Sequence, residues 1–163
     1  METIVQNLFI VEENPLTATN LQNFLKKRFT NTLTITTFND GQSLLKKVDN
    51  DTTIVIIDYD LKGENADKLL IDIKKINPKT EVILLSSDEE IGTAIDVYRN
   101  GAKVIVPKNN DQFKKILSVV YKILYYPVEL TKRFFGLQEL FAIFVVEIAY
   151  IGLVVFIGMK LFS

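Results

Sequence analysis

Acidic, basic and hydroxyl side chains in this sequence stand directly after short apolar runs. Glu12 and Glu13 follow the first of these runs, and Asp58 follows a later one. Ser86 and Lys108 come after two more. If the runs are parallel strands, their carboxyl ends meet at one edge of a sheet, so these side chains converge there. Carboxylates at such short distances repel one another. A hard divalent cation such as Mg²⁺, together with Lys108, would offset this repulsion.

Short runs rich in Val, Ile and Leu alternate with helical periodicity as far as residue 125. The predicted strands are residues 8–11, 33–37, 54–57, 81–85 and 103–106. Several of them are apolar throughout, which is typical of strands that helices cover on both faces. Five β-then-α units in succession predict an α/β domain of the flavodoxin-like (βα)5 type, with a doubly wound parallel sheet.

Capping signals and apolar stripes mark the intervening helices. Asn14-Pro15 supplies an N-cap and a first helical residue, and Asp40-Gly41 opens a short second helix. The other stripes are Ala66, Leu69, Leu70, Ile73 and Ile76 before Pro78; Ile91, Ala94, Ile95 and Tyr98 before Asn100-Gly101; and Phe113, Ile116, Leu117, Val120 and Leu124. Their spacing predicts three further helices.

The chain contains no cysteine and no histidine. The lack of cysteine excludes disulfides and thiolate metal sites, and it fits a reducing compartment. The lack of histidine excludes a histidine kinase, a histidine phosphotransfer protein and imidazole catalysis. The net charge is −1, and the charges of both signs are interspersed, so no overall field attracts nucleic acid.

The composition changes sharply after Tyr126. Residues 1–126 are predicted to form the α/β domain, residues 127–136 an amphipathic juxtamembrane linker, and residues 137–163 a single transmembrane helix. Residues 140–159 contain one charged side chain, Glu147, and a helix of that length spans the hydrocarbon core of about 30 Å. A buried core helix or a dimerising helix is the alternative. Within the span, Glu147 is expected either to contact another subunit's membrane helix or to be a protonated passenger.

The flanks of this span predict its orientation. Lys122, Lys132 and Arg133 precede it, whereas Lys160 follows it, which favours a cytoplasmic N-terminal domain. Residues 1–7 show no basic segment typical of a targeting signal. We therefore expect a single-pass protein of the inner (cytoplasmic) membrane.

Four segments resemble the receiver domain of two-component response regulators, over roughly residues 7–125. They are LFIVEENP, TIVIIDYDLKG, VILLSSDEE and GAKVIVPK. The resemblance implies that Asp58 is the phosphoacceptor, whose carboxylate attacks a phosphohistidine on a histidine kinase or a histidine phosphotransfer protein. It also implies that Glu12, Glu13 and Asp58 hold Mg²⁺, with the backbone carbonyl of Asp60 as a further ligand.

The same resemblance implies that Lys108 pairs with the phosphoryl group and that the Ser86 hydroxyl hydrogen-bonds it. The sequence departs from the family's pattern at several positions. The acidic pair usually contains Asp, and Ile105 replaces an aromatic switch residue. Asn109 stands where a proline normally follows the lysine, and Lys62 stands where a proline is common. We therefore predict an intact phosphorylation site with an altered conformational readout.

Two functions follow from these features. In the first, the chain is a membrane-anchored, single-domain response regulator that acts by protein contact on integral membrane proteins of a motility, secretion or sensory complex. In the second, the receiver fold is a scaffold subunit of such a complex, without phosphotransfer. A nucleotide or flavin binder of the flavodoxin-like class is the third, more distant alternative. It needs a phosphate-binding loop after the first strand, and the acidic segment VEENPLTAT does not provide one. There is no pattern of a DNA-recognition helix, so nucleic-acid binding is not expected.

Overall fold

The computed structural model describes residues 5–87 and 98–125 of the chain. Five parallel strands form one sheet in the order β2-β1-β3-β4-β5. They are β1 (Gln6–Val11), β2 (Leu33–Phe38), β3 (Thr52–Asp58), β4 (Glu81–Ser86) and β5 (Ala102–Pro107). The predicted flavodoxin-like α/β fold is confirmed, and each predicted strand lies within the strand that forms.

Helices lie between the strands and after the last one, and the first two begin at the predicted capping residues. They are α1 (Pro15–Lys26), α2 (Gly41–Leu45), α3 (Ala66–Ile76) and a last helix over residues 112–125. The Asn14 side chain accepts hydrogen bonds from the N–H groups of Leu16 and Thr17, at 3.0 and 3.3 Å. Asp40 does the same for α2, and Asn65 does so for α3. These side chains satisfy N–H groups that the first turn of a helix leaves without partners.

The sheet is covered by helices on both faces. Because successive side chains of a strand point to opposite faces, Phe9 and Val11 of β1 lie on one face and Leu8 and Ile10 on the other. The first face packs against α2 and α3 in a cluster of buried side chains that includes Leu70. Ala18, Leu21 and Leu25 of α1 are buried on the side of the second face, and α1 contacts helix 112–125 through the Phe24 and Phe113 rings, which lie 5.2 Å apart. This double cover explains why β1, β3 and β4 are apolar almost throughout.

The fourth predicted helix and the C-terminal segment fall mainly outside the described residues. Residues 98–99 are helical, and Gly101 follows with a φ of 101°, which agrees with the expected glycine after a helix end. The predicted juxtamembrane linker, the transmembrane helix and Glu147 lie beyond residue 125. Within residues 5–87 and 98–125, no helix is long and apolar enough to cross a membrane.

Candidate functional site

The register of the sheet sets which polar residues meet at its carboxyl edge. Val11 of β1 pairs with Ile57 of β3, so that Glu12 and Asp58 follow at the same level. Asp58 in turn pairs with Leu85 of β4. Glu12 after β1, Asp58 at the end of β3 and Ser86 at the end of β4 therefore lie side by side, as their positions after apolar runs predicted.

Lys108 reaches the same edge from β5. Pro107 pairs with Ser86, and the Lys108 N–H donates to the Ser86 carbonyl oxygen at 2.8 Å. Ser86 is buried, with 7% of its surface exposed. Because Pro107 lies on an edge strand, its missing N–H breaks no bond within the sheet. This arrangement brings the Lys108 side chain over the end of β3.

Glu12 and Asp58 form a buried pair of carboxyl groups, with 6% and 7% of their surfaces exposed. Burial raises the pKa of Glu12, because it disfavours the charged form, and the neighbouring Asp58 raises that pKa further. The N–H of Asn14, which donates to Glu12 Oε1 at 2.9 Å, works in the opposite direction. Two negative charges at this place therefore require a compensating positive charge.

Glu13 is placed differently from Glu12. Its Oε1 atom accepts a hydrogen bond from the backbone N–H of Lys62, in the loop after β3. Across the segments that the structure describes, no group of three or more acidic side chains is gathered closely enough to hold a metal ion. The assignment of Glu13 as a metal ligand stays a prediction, as do the assignments of Glu12, Asp58 and the Asp60 carbonyl.

Lys108 supplies the positive charge beside Asp58. Its Nζ contacts Asp58 Oδ1 and lies 2.9 Å from Asp60 Oδ2. Burial on its own lowers the pKa of this ammonium group, but its bonds to the two aspartates outweigh burial, and the pKa is raised. The ammonium group therefore stays charged at neutral pH and draws two carboxylates together.

The side chain of Asp60 is a part of the site that the sequence did not reveal. Its Oδ2 accepts from the Ser87 hydroxyl at 2.7 Å and from the Ser87 N–H at 3.2 Å, in addition to Lys108. Burial would raise the pKa of this carboxyl, but Lys108 and Ser87 together lower it. The available signal was positional, since Asp60 and Ser87 stand one or two residues beyond the predicted Asp58 and Ser86.

Ile105 lies on β5 as predicted. It is partly buried and packs against the cluster of side chains beneath α2 and α3. Its N–H is 3.5 Å from the hydroxyl oxygen of Tyr98. Its role as a switch residue stays a prediction.

The donor set at the edge of the sheet fits a hard cation. Glu12 and Asp58 present buried carboxylate oxygens that face each other, and carboxylates and carbonyls are the ligands that Mg²⁺ prefers. Because these two buried carboxyl groups lie against each other, a proton or a metal ion between them would offset their repulsion.

Comparison with known families identifies the domain. The response regulator receiver domain family matches residues 8–120, more than half of the chain. The chain belongs to this family. Receiver domains are phosphoacceptor signalling modules rather than enzymes, they bind Mg²⁺ at the phosphorylation site, and they interact in general with histidine kinases or phosphotransfer proteins.

A curated relative agrees with this assignment. The DNA-binding transcriptional regulator NtrC of Escherichia coli is 30% identical over 95 residues, which are 58% of this chain and 20% of NtrC. The chain therefore spans about a fifth of the length of this relative.

Two receiver structures share the fold at low sequence identity. The response regulator TrrA of Thermotoga maritima, in complex with Mg²⁺ and BeF, is 21% identical, with a TM-score of 0.63 over 74% of this chain and 100% of that one. A Burkholderia pseudomallei response regulator with a phosphorylated aspartic acid and a calcium ion is 18% identical, with a TM-score of 0.61 over 78% and 72% of the two chains.

Proposed function

We propose that Asp58 of this chain accepts a phosphoryl group from a histidine kinase or a histidine phosphotransfer protein. The observation that carries this proposal is the place of Asp58, which ends the central strand of the sheet between Glu12 and Lys108. A carboxylate with a cation on one side and a second acid on the other can accept a phosphoryl group while the charge of that group is compensated. The Burkholderia relative has a phosphorylated aspartic acid, which supports the same chemistry here.

In the proposed reaction, a carboxylate oxygen of Asp58 attacks the phosphorus atom of phosphohistidine. A P–O bond to Asp58 forms as the P–N bond breaks, and its electron pair leaves with the imidazole nitrogen of the partner. Lys108 stabilises the negative charge on the transferring group. Glu12 and Asp58, with the Asp60 carbonyl and Glu13, would hold Mg²⁺, which supplies further charge compensation on the phosphoryl oxygens.

The proposed output is a protein contact at a membrane. Residues 140–159 are apolar apart from Glu147, which supports a single-pass anchor in the inner membrane with the receiver domain in the cytoplasm. We infer that the partners, besides the phosphodonor, are integral membrane proteins of a larger motility, secretion or sensory assembly. The balanced charges of the chain, 19 basic and 20 acidic residues, favour protein rather than nucleic-acid partners.

A scaffold role without phosphotransfer is the second candidate function. It is favoured by the Asp60 carboxylate, which already binds Lys108, and by the bond of Glu13 to the Lys62 N–H. In this interpretation, the receiver fold is kept for its surface, and the site at the sheet edge is a structural ion-pair network.

Phosphorylation of the full-length chain by acetyl phosphate separates the two functions. We expect the wild type in detergent to gain the mass of one phosphoryl group when Mg²⁺ is present, and Asp58→Asn to gain none, as measured by intact-protein mass spectrometry. Asp51→Asn removes an exposed acid from the loop before β3, at the opposite edge of the sheet, and should label like the wild type. Labelling of Asp58→Asn, or no labelling of the wild type at any Mg²⁺ concentration, would favour the scaffold.

A further inference from the structure

One oxygen atom of Asp60 collects three hydrogen-bond donors at the carboxyl edge of the sheet. Oδ2 accepts from Lys108 Nζ at 2.9 Å, from Ser87 Oγ at 2.7 Å and from Ser87 N at 3.2 Å. The donors come from the ends of two different strands, because Ser87 follows β4 and Lys108 follows β5. Asp60 itself comes from the loop after β3. A single carboxylate therefore joins three neighbouring strand ends.

One of these donors, Lys108, also contacts Asp58, the residue that would be modified. Lys108 Nζ contacts Asp58 Oδ1 and Asp60 Oδ2 at the same time, so the two carboxylates share one cation. The Asp60 N–H also donates to Asp58 Oδ1 at 2.9 Å, which fixes the two residues relative to each other. An ammonium, a hydroxyl and a backbone N–H that meet at one anionic oxygen are also the donors that bind a phosphate oxygen.

We propose that the Asp60 carboxylate is an internal anion that occupies Lys108 and Ser87, and that a phosphoryl group on Asp58 has to displace it from these donors. The inference rests on the proposed function, since it concerns the competitor of that phosphoryl group. The chain thus carries its own negative regulator within the site. The same contact holds the segment after β4 to the loop after β3 before any phosphoryl group arrives.

Charge repulsion adds to this competition. A phosphoryl group brings roughly −1.5 to −2 charge onto Asp58, beside a carboxylate that already carries a negative charge. The Asp60 side chain is 39% exposed and that of Lys108 is 25% exposed, so water screens the interaction in part. We therefore expect a moderate effect, about three- to tenfold in the affinity of the site for a phosphoryl analogue.

Binding of beryllofluoride to the full-length chain tests the competition directly. With Mg²⁺ present and binding followed by tyrosine fluorescence, we expect Asp60→Asn to bind about three- to tenfold more tightly than the wild type. Asp111→Asn is the matched control, because Asp111 pairs with Lys114 on the exposed surface of the first turn of helix 112–125. Equal or weaker binding by Asp60→Asn, or an equal gain in both variants, would overturn the proposal.

A second measurement needs no phosphoryl group. We expect the Ser87 amide to exchange with solvent faster in Asp60→Ala than in the wild type, as followed by NMR on the full-length chain in detergent without any donor. An unchanged exchange rate would show that Asp60 does not hold Ser87, and the proposal would fail.

The two hypotheses fail in different ways. With acetyl phosphate as the donor, we expect Asp60→Asn to reach half-maximal labelling at a lower donor concentration than the wild type. Labelling of both proteins at equal half-saturating concentrations would overturn the role of Asp60 alone. No labelling of either protein would overturn the phosphoacceptor function itself.

Discussion

At the scale of single residues, the chemistry of this site depends on how one ammonium group is shared. Lys108 contacts Asp58 and Asp60, while Glu12 lies against Asp58 from the other side. The pKa of Asp60 is lowered because Lys108 and Ser87 donate hydrogen bonds to its carboxylate. The pKa of Glu12 is raised because burial disfavours its charged form. A cation between Glu12 and Asp58 would offset the repulsion between their two carboxylates.

Substitution of Glu12 by Gln should show separately how the Glu12 carboxylate affects folding stability and how it affects Mg²⁺ binding. The folded state holds the Glu12 proton more tightly than the unfolded state does, so the wild type loses stability as pH rises from 4.5 through the higher folded pKa. Without Mg²⁺, Glu12→Gln should remove this loss and unfold at a higher temperature than the wild type at pH 7. In a Mg²⁺ titration, Glu12→Gln should bind the ion about tenfold or more weakly than the wild type does.

Glu13→Gln is the control for this substitution, since the Glu13 side chain bonds the Lys62 N–H rather than Asp58. We expect it to weaken Mg²⁺ binding less than Glu12→Gln does. A larger loss of Mg²⁺ affinity in Glu13→Gln would show that Glu13, and not Glu12, is the main acidic ligand beside Asp58. Both variants are compared by thermal unfolding and by Mg²⁺ titration of the full-length chain.

The residues of the site divide into those that the sequence predicts and those that it does not. Glu12, Asp58 and Lys108 were predicted because each stands at the end of an apolar run, where the parallel sheet itself sets its position. Asp60 and Ser87 lie in loops, where no period of two or 3.6 residues relates a side chain to its neighbours. The ion pair between Asp60 and Lys108 is therefore evident only in the folded structure.

At the scale of helices and strands, local signals predicted where the first helices begin but not how the strands pair. Asn14-Pro15 and Asp40-Gly41 gave the starts of α1 and α2, because capping depends on a few neighbouring atoms. The strand order β2-β1-β3-β4-β5 agrees with the fold type that five β-then-α units imply, but no single strand reveals it. The register shift between Asn7 and Leu8, where β1 meets β3, has no counterpart in the apolar pattern.

The N-cap of α3 offers a direct test of this level of structure. Asn65 Oδ1 accepts the N–H of Lys68 at 3.0 Å, and Ala cannot replace this bond. Asn65→Ala should therefore lower the free energy of unfolding by about 1 kcal/mol, measured by denaturant titration. Asn23→Ala, an exposed position within α1, should instead be neutral or slightly stabilising, because alanine is the better helix former. Equal effects at both positions would contradict the capping role of Asn65.

At the scale of the whole molecule, the chain divides into two compact units, residues 1–120 and 121–163. The first holds the receiver fold and the proposed phosphorylation site. The second contains the apolar run of residues 140–159, for which we propose a membrane anchor. A receiver domain that its own chain anchors in a membrane would act on partners in that membrane. The apolar segment would then help to select those partners.

Glu147 is the residue of that segment with the clearest expected role. A carboxyl group within the hydrocarbon core costs a few kcal/mol by insertion scales, so it is seldom found there without a partner. In a continuous helix, Glu147 shares a face with Tyr150, Ile151 and Gly158, and glycine permits close approach of another helix. We predict that Glu147 docks against a polar or basic side chain in a membrane helix of another subunit.

Mild solubilisation from the native membrane tests this docking. The full-length chain should first resist extraction by alkaline carbonate, as an integral membrane protein does. Glu147→Leu should stay in the membrane, because the substitution makes the span more apolar, and it should lose the membrane proteins that co-purify with the wild type. Glu139→Leu removes a carboxyl group just before the apolar run and should keep those partners. If Glu147→Leu keeps the same partners as the wild type, Glu147 is a protonated passenger, and the receiver must find its partners through the cytoplasmic domain alone.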